Sequence, residues 1–157
     1  MPSTSTADHS AADAVYHQLA TLCAGLPTAE AKKMAADVYK TFGYGLIDLT
    51  DMTEDGATVH TYKSFYSKTW VMKFGPSKRP VDFYTSGFIA AAYAVIYGKP
   101  LSDIHAEQTS CMARGDACNT HVVRSGGGNF STYPAKAPTR FSSTPKVPIN
   151  WVHEEAV

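Results

Sequence analysis

Cysteine and histidine side chains concentrate in one stretch of the sequence, HAEQTSCMARGDACNTH, at positions 105–121. Six residues, with a Gly-Asp turn among them, separate Cys111 from Cys118. If the flanking segments pair as a hairpin, both sulfur atoms come to the same end of a sheet, and thiolates suit tetrahedral zinc. The nearby candidate ligands are His105, Glu107, His121 and, as a weaker ligand, Gln108.

The same cysteines also have a purely structural interpretation. Their spacing is wider than that of a CxxC zinc knuckle, and two cysteines on a hairpin are more often small buried hydrophobic residues than ligands. Strand alternation points His121 to the face opposite Cys118, which weakens it as a ligand. His105 and Glu107 share the parity of Cys111, as would any polar strand face. Metal binding and simple burial both stay open at this point.

A second stretch, positions 63–79, interleaves basic and aromatic side chains. Such a pattern can bind nucleic acid, hold an acidic group on an aromatic ligand, or form the solvated face of a strand. The whole chain has 14 Lys+Arg against 14 Asp+Glu, so it exerts no general attraction on a polyanion. We therefore expect no nucleic-acid partner, and a small apolar or aromatic ligand instead.

No arrangement of a nucleophile and a base is evident in the sequence. It contains no GxSxG, no HExxH and no nicotinamide or flavin fingerprint. The SGGG run at 125–128 is followed by prolines rather than by a helix, so it offers no helix N-terminus to a phosphate. The sequence therefore favours a binding protein over an independent catalyst and leaves enzyme activity open.

Length and composition indicate one soluble domain. The chain has 157 residues, 44% hydrophobic and 11% aromatic, and a domain of this size buries roughly 70% of the surface that its unfolded form exposes. The N-terminus has neither a basic region nor an apolar core typical of a signal peptide. The apolar run at 88–97 is about half of the ~20 residues needed to span a bilayer. Three cysteines are too few for a disulfide scaffold, so we expect a cytoplasmic protein with no membrane span.

Hydrophobic periodicity and breakers predict the elements. After a disordered leader at 1–9, two helices run from Ser10 to Gly25 and from Thr28 to Gly43. Strands at 44–50 and 57–66 flank a hairpin turn. Apolar residues alternate within the connection 67–80, so part of it is expected to extend as a further strand or to form a lid over a cavity.

The most apolar segment, 83–97, predicts a four-turn helix that ends at Gly98. Its apolar residues run almost all the way round, so both faces must be covered, by the sheet with a ligand cavity or by a dimer partner. Strands at 101–109 and 118–124 follow, and then a Gly/Pro-rich extension at 125–157. The class is α+β, with an antiparallel sheet, the apolar helix between strand pairs, and the order α-α-β-β-α-β-β.

Several landmarks in this order resemble the 4-vinyl reductase domain family. The stretch RPVDFYTSGFIAAAYAVIYGKPLSDIHAEQTSCMARGDACNTHVV, 79–123, is similar to the family's Pro-Val-Cys, its apolar helix with an aromatic residue and Gly-Phe, a Gly-Lys stop, Glu-x-x-Cys, and a Gly-Asp turn before a second Cys. Upstream, Phe-Gly-Tyr-Gly at 42–45 and Lys-Ser-Phe at 63–65 also resemble it. The resemblance covers residues 12–124 and leaves the Pro-rich extension outside.

The resemblance implies a ligand-binding α+β fold, usually dimeric, shared with haem-NO-binding domains and vesicle-tethering TRAPP subunits. Members include a protein of bacteriochlorophyll biosynthesis and the sensor domains of phenol- and xylene-responsive activators. In those sensors a Cys, Glu, Cys, Cys set binds structural zinc. Here Cys111 and Cys118 match the last two positions, with a gap one residue shorter than in the family, Asp82 matches the first, and Gln108 the glutamate. The resemblance thus implies zinc on Cys111, Cys118 and either Asp82 or one of His105 and Glu107.

We therefore expect a hydrophobic, aromatic or tetrapyrrole-like molecule in a pocket between the apolar helix and the sheet of a homodimer. The alternatives are an enzyme acting on a conjugated or tetrapyrrole substrate, and a structural dimer or assembly subunit. Two basic side chains are expected to anchor an acidic group and seven aromatic ones to line the pocket: Lys73 and Arg79, and Trp70, Phe74, Phe83, Tyr84, Phe88, Tyr93 and Tyr97.

Overall fold

Helices and an antiparallel sheet form the part of the chain that the computed structural model describes, residues 6–126, with side chains from Ala12 onward. The elements are α1 Thr6–Leu22, α2 Thr28–Thr41, β1 Gly45–Leu46, β2 Ala57–Thr61, β3 Lys63–Ser64, α3 Phe65–Phe74, α4 Phe83–Tyr97, β4 Ile104–Ser110 and β5 Asn119–Ser125. The α+β class is confirmed. The predicted leader is too long, because α1 already begins at Thr6. Most of the predicted extension, 127–157, lies outside the described residues.

The apolar helix α4 is the centre of this fold. Asp82 caps its first turn by accepting a hydrogen bond from the backbone N–H of Thr85, and Gly98 ends it in the left-handed conformation. Every residue from Phe88 to Ala94 is buried, because α1 and α2 pack against the helix as well as β4 and β5. The chain itself therefore covers the apolar circumference that suggested a ligand cavity or a dimer partner. In the described residues no helix is long and apolar enough to cross a membrane.

The strands pair differently from the predicted hairpin of 44–50 with 57–66. The main sheet has the antiparallel order β2-β5-β4, while the short strand β1 pairs with β3. The turn from Thr53 to Gly56 does form, but the strand that follows it pairs with β5 instead. A Cβ at Gly45 would lie 1.8 Å from the carbonyl oxygen of Lys63, so the close approach of β1 to β3 requires glycine there.

Residues 67–74 of the connection predicted to contain a strand or a lid belong instead to the helix α3, which also includes the last two residues of the predicted strand 57–66. Ser64 caps it by accepting a hydrogen bond from the backbone N–H of Ser67, and Gly75 ends it. The alternation at 70–74 is too short to specify a strand, and Trp70 and Phe74 are also four residues apart, which places them on one helix face with their rings 4.8 Å apart. The caps at Ser64 and Gly75 therefore favour a helix over a strand in this segment.

The predicted hairpin around the two later cysteines is present as β4 and β5. Its register pairs Gln108 with His121, and an irregularity after Gln108 inserts one extra residue into β4 before Ser110 pairs with Thr120. In the connection, the Asp116 carboxylate accepts hydrogen bonds from the backbone N–H of Cys111 and from the Arg114 guanidinium, which lower the pKa of Asp116. This shift of register decides which residues face α4 at the end of the sheet.

Close packing around α4 predicts a strong response to added volume. Ala91 is fully buried, so Ala91→Leu should force its neighbours apart and lower the free energy of unfolding by ~1–3 kcal/mol, measured by urea denaturation. The matched control is Ala29→Leu, because Ala29 is exposed on α2; it should leave the unfolding free energy almost unchanged. Equal effects of the two substitutions would contradict the central position of α4.

Candidate functional site

A buried cluster of polar side chains surrounds Asp82 at the start of α4. The Asp82 side chain is fully buried. It accepts hydrogen bonds from Ser64 Oγ at 2.7 Å, from Asn119 Nδ2 at 3.0 Å and from the backbone N–H of Thr85 at 3.2 Å. The backbone N–H of Asp82 donates to Gln108 Oε1 at 2.9 Å. Segments that are distant in the sequence are therefore joined through one carboxylate.

Asn119 forms the second half of the same cluster. Its Oδ1 accepts a hydrogen bond from the backbone N–H of Met112 at 2.7 Å, which fixes the orientation of the amide and turns Nδ2 toward Asp82. Nδ2 also lies 2.9 Å from Ser67 Oγ. The same Ser67 hydroxyl is 3.8 Å from Cys111 Sγ, which is itself buried.

The predicted zinc ligands do not converge. Asp82 and Cys111 belong to the buried cluster, but Cys118 is half-buried elsewhere, with Sγ 3.9 Å from His60 Nδ1. Glu107 is exposed. His105 is buried, but strand alternation places it on the same side as Glu107 and on the side opposite to Gln108. Within residues 6–126, no three His, Cys, Asp or Glu side chains lie close enough together to hold a metal ion. These residues therefore do not fit the zinc set that the resemblance implied.

His121 lies beside the cluster, on the strand position directly opposite Gln108. It is fully buried, and its Nδ1 is 2.9 Å from Ser86 Oγ. Its Nε2 and the Nε2 of Gln108 have no hydrogen-bond partner among the described residues. Burial lowers the pKa of His121 to about 4, an effect that the nearby Asp82 carboxylate offsets only in part. The imidazole is therefore neutral at pH 7.

Tyrosine rings cover the end of α4 that carries Asp82. Tyr66 stacks on Tyr84 with their centroids 5.2 Å apart, and Tyr44 lies 4.5 Å from Tyr84. Tyr39 packs 5.0 Å from Phe88, and its hydroxyl is 2.6 Å from Thr85 Oγ1. Burial raises the pKa of Tyr66 to about 12, with smaller contributions from Tyr44 and Asp82. Burial raises the pKa of Tyr39 and Tyr84 as well, so these two phenols and that of Tyr66 are neutral at pH 7.

The structure places the nine predicted ligand residues in distinct groups. Trp70 and Phe74 pack on α3, with Trp70 against the small cluster that contains Val81 and Cys111. Lys73 and Arg79 are exposed on and just after that helix. The other five all lie on α4: Phe83, Tyr84, Phe88, Tyr93 and Tyr97.

The aromatic residues of α4 serve its packing at both ends. Tyr84 and Phe88 belong to the tyrosine-lined end described above. At the other end the rings of Tyr93 and Tyr97 are 5.1 Å apart, and their hydroxyls donate to the backbone oxygens of Glu54 and Met52. These contacts join α4 to α2, to Tyr44 and to the segment before β2.

A concave site exists elsewhere, beside the outer edge of strand β2. It is an open cleft of about 370 Å³ between β2 and the segment 46–52. Its apolar wall comes from Leu46, Ile47, Met52 and Val59, and its polar rim from Asp48, Asp51, Thr58, His60, Tyr62 and Lys63. None of the nine predicted ligand residues is part of its lining.

The segment 46–52 is held in place by contacts from two helices. Lys32 on α2 donates to the backbone oxygens of Thr50 and Met52, at 2.9 and 2.5 Å. The Tyr97 hydroxyl donates to the same Met52 oxygen at 2.7 Å. Thr50 in turn donates to the Asp48 carboxylate from its backbone and its hydroxyl, which lowers the pKa of Asp48. The wall of the cleft is therefore fixed before any ligand arrives.

The α+β fold defined by these elements also occurs in solved structures of other proteins. Among solved structures, the chain is similar to the phenol-responsive sensory domain of the transcription activator PoxR, in complex with phenol, with a TM-score of 0.55 and 15% identity over 75% of this chain and 60% of that chain. It is also similar to a vinyl-4-reductase family protein from Methanocaldococcus jannaschii, with a TM-score of 0.55 and 11% identity over 74% of this chain and 68% of that chain.

At this level of identity the similarity is one of fold, and it confirms the architecture that the sequence resemblance implied. The chain spans three fifths of the length of the PoxR domain. No protein-family model and no curated protein matches the sequence.

Neutral His121 predicts a pH-dependent stability. Because its pKa is about 4 in the folded chain and about 6.5 when unfolded, the unfolded state binds the extra proton. Stability is therefore fully present above pH 6.5 and falls as the pH drops toward 4, by up to ~3 kcal/mol. Urea denaturation at pH 7.0 and 5.0 measures this loss. His121→Gln should reduce the difference between the unfolding free energies at the two pH values. His60→Gln, at an exposed position, should leave that difference unchanged. An unchanged difference in His121→Gln would contradict the assignment.

Proposed function

We propose that this chain binds a neutral, single-ring aromatic molecule in the cleft beside strand β2. The observation that carries the proposal is the cleft itself, about 370 Å³ in volume with a mostly apolar wall and a polar rim. Small-molecule sites have this character and occupy ~300–1,000 Å³. The volume lies near the lower end of that range, which favours one ring over a tetrapyrrole.

The rim indicates what kind of polar group the ligand carries. Asp48 and Asp51 supply acceptors, while Lys63 supplies donors and His60 supplies either. Because charges of both signs are present, an anionic or cationic ligand gains no consistent attraction. A hydroxyl group can donate to the carboxylates and accept from Lys63 or His60. Lys73 and Arg79, which we expected to anchor an acid, lie outside the cleft.

The aromatic preference comes from Tyr62 and from the packing of the wall. The Tyr62 side chain is 68% exposed at the rim and offers a ring face to a ligand, an interaction of about 0.5–1.5 kcal/mol beyond burial. Met52 and Val59 also line the cleft, and both are almost fully buried. That one fold neighbour was solved with phenol supports the same ligand class.

Filling the cleft should abolish binding. Phenol is the probe, and titration calorimetry with the purified chain should show saturable binding that Thr58→Trp weakens at least tenfold, because Thr58 is an exposed residue of the rim. Thr109→Trp, the same change at an exposed position of β4, is the matched control and should bind as the original chain does. Cyclohexanol, which keeps the hydroxyl without the aromatic ring, should bind more weakly. Equal binding to Thr58→Trp would refute the cleft, and equal binding of cyclohexanol would refute the aromatic preference.

Association into a homodimer stays a prediction. Helix α3 offers the surface for it, because four of its apolar side chains are at least 40% exposed: Phe65, Val71, Met72 and Phe74. Exposed apolar side chains in this number on one helix are typical of an interaction surface. Light scattering should give twice the mass of one chain, and Met72→Lys should shift the mass toward that of a single chain. A monomeric mass for the unaltered chain would remove this prediction.

A further inference from the structure

We infer that this chain carries a metal-free hydrogen-bond cluster, centred on Asp82, at the place where the resemblance implies a structural zinc. Asp82, Gln108 and Cys111 occupy three of the four implied ligand positions. In the structure Asp82 contacts Gln108 directly, through the 2.9 Å bond from its backbone N–H, and Cys111 is joined to the same cluster through Ser67. The three positions therefore still converge although only one of them is a cysteine.

The fourth position is Asn119 and not Cys118. Along β5 the residues Asn119, His121 and Val123 are buried and face α4, so strand alternation turns Cys118 away. The Cys118 sulfur lies 3.7 Å from Thr120 Oγ1 and near His60. The resemblance implies a gap one residue longer than that between Cys111 and Cys118, and a shift by one residue from Cys118 places Asn119 at the implied position. The geometry thus accounts for a spacing that the sequence left unexplained.

The oxygen atoms that would bind a metal are already used as hydrogen-bond acceptors. Both Asp82 carboxylate oxygens accept from protein donors, the Gln108 carbonyl accepts from the Asp82 backbone, and the Asn119 carbonyl accepts from the Met112 backbone. A metal ion would have to displace these buried donors and leave them unsatisfied. Zinc prefers thiolate, imidazole and carboxylate ligands, and neutral side-chain amides supply neither charge nor softness.

The cluster makes the connections that a structural metal would make. Through Asp82 it joins the N-terminus of α4 to β3 by Ser64 and to β5 by Asn119, and through Gln108 it reaches β4. Ser67 adds the first turn of α3. Asp82 therefore takes the place of the metal as the common acceptor of donors from separate elements.

Zinc content tests the inference without any ligand. The chain, expressed with added zinc and measured by elemental analysis, should hold less than 0.1 zinc per chain, and dipicolinate should leave its Tm unchanged. Asp82→Asn should lower the Tm by roughly 5 °C, because it replaces an acceptor with a donor that faces Ser64 or Asn119. Asp103→Asn, at an exposed position, should leave the Tm unchanged. One zinc per chain, or a Tm that falls with dipicolinate, would overturn the inference.

Restoring the implied ligands tests the assignment of the four positions. The triple substitution Asp82→Cys, Gln108→Glu, Asn119→Cys, with Cys111 kept, should bind one zinc per chain and gain a Tm that dipicolinate lowers. The double substitution Asp82→Cys, Gln108→Glu keeps Asn119, so that Cys118 is the only cysteine available for the fourth position, and it should bind zinc at least tenfold more weakly. Equal zinc affinity of the two variants would overturn the assignment of Asn119. If the triple variant does not fold, the zinc content of the unaltered chain still decides whether the cluster is metal-free.

Discussion

The fold depends on how one buried carboxylate is satisfied. Transferring the Asp82 side chain into the interior is costly unless donors replace its hydration, and the donors come from β3, β5 and the first turn of α4. Each of these elements must be in place before the carboxylate is fully bonded. The start of α4 is thereby fixed relative to the sheet, and because α4 contacts both N-terminal helices and the sheet, the rest of the core takes its position from this point.

The location of the cleft follows from the packing of α4. Small side chains at 90–92 and 94 allow neighbouring elements to approach closely, and aromatic rings fill both ends of the helix. That leaves the edge of the sheet as the place for a concave surface. There β1 is too short to extend the sheet and pairs with β3 instead, so the segment 46–52 passes beside β2 without forming a regular ladder with it. The cleft between them is a consequence of that interrupted pairing.

Local signals made α4 and the β4–β5 hairpin predictable. Asp82, Gly98 and a continuous apolar run define the helix, and the Gly-Asp turn defines the hairpin. The pairing of β1 with β3 was not predictable, because it depends on a close approach between Gly45 and Lys63, which are distant in the sequence. The cleft was not predictable either, because its lining combines residues of 46–52 with residues of 58–63, and their contact depends on the same pairing. The position of Asn119 was predictable, since the strand alternation that places His121 and Cys118 on opposite faces also places Asn119 on the same face as His121.

Asp82 and His121 show that proximity of an acid and a base in a core does not by itself make an ion pair. The carboxylate attracts a proton onto the imidazole, but desolvation of His121 is the larger effect and its pKa falls to about 4. The carboxylate also has three donors of its own and gains little from a fourth. The imidazole instead meets Ser86 on α4, and its second nitrogen has no partner in the described part of the chain. Asp82 is therefore fully satisfied while His121, its neighbour, is not, and acid sensitivity resides in the histidine that contacts the central helix.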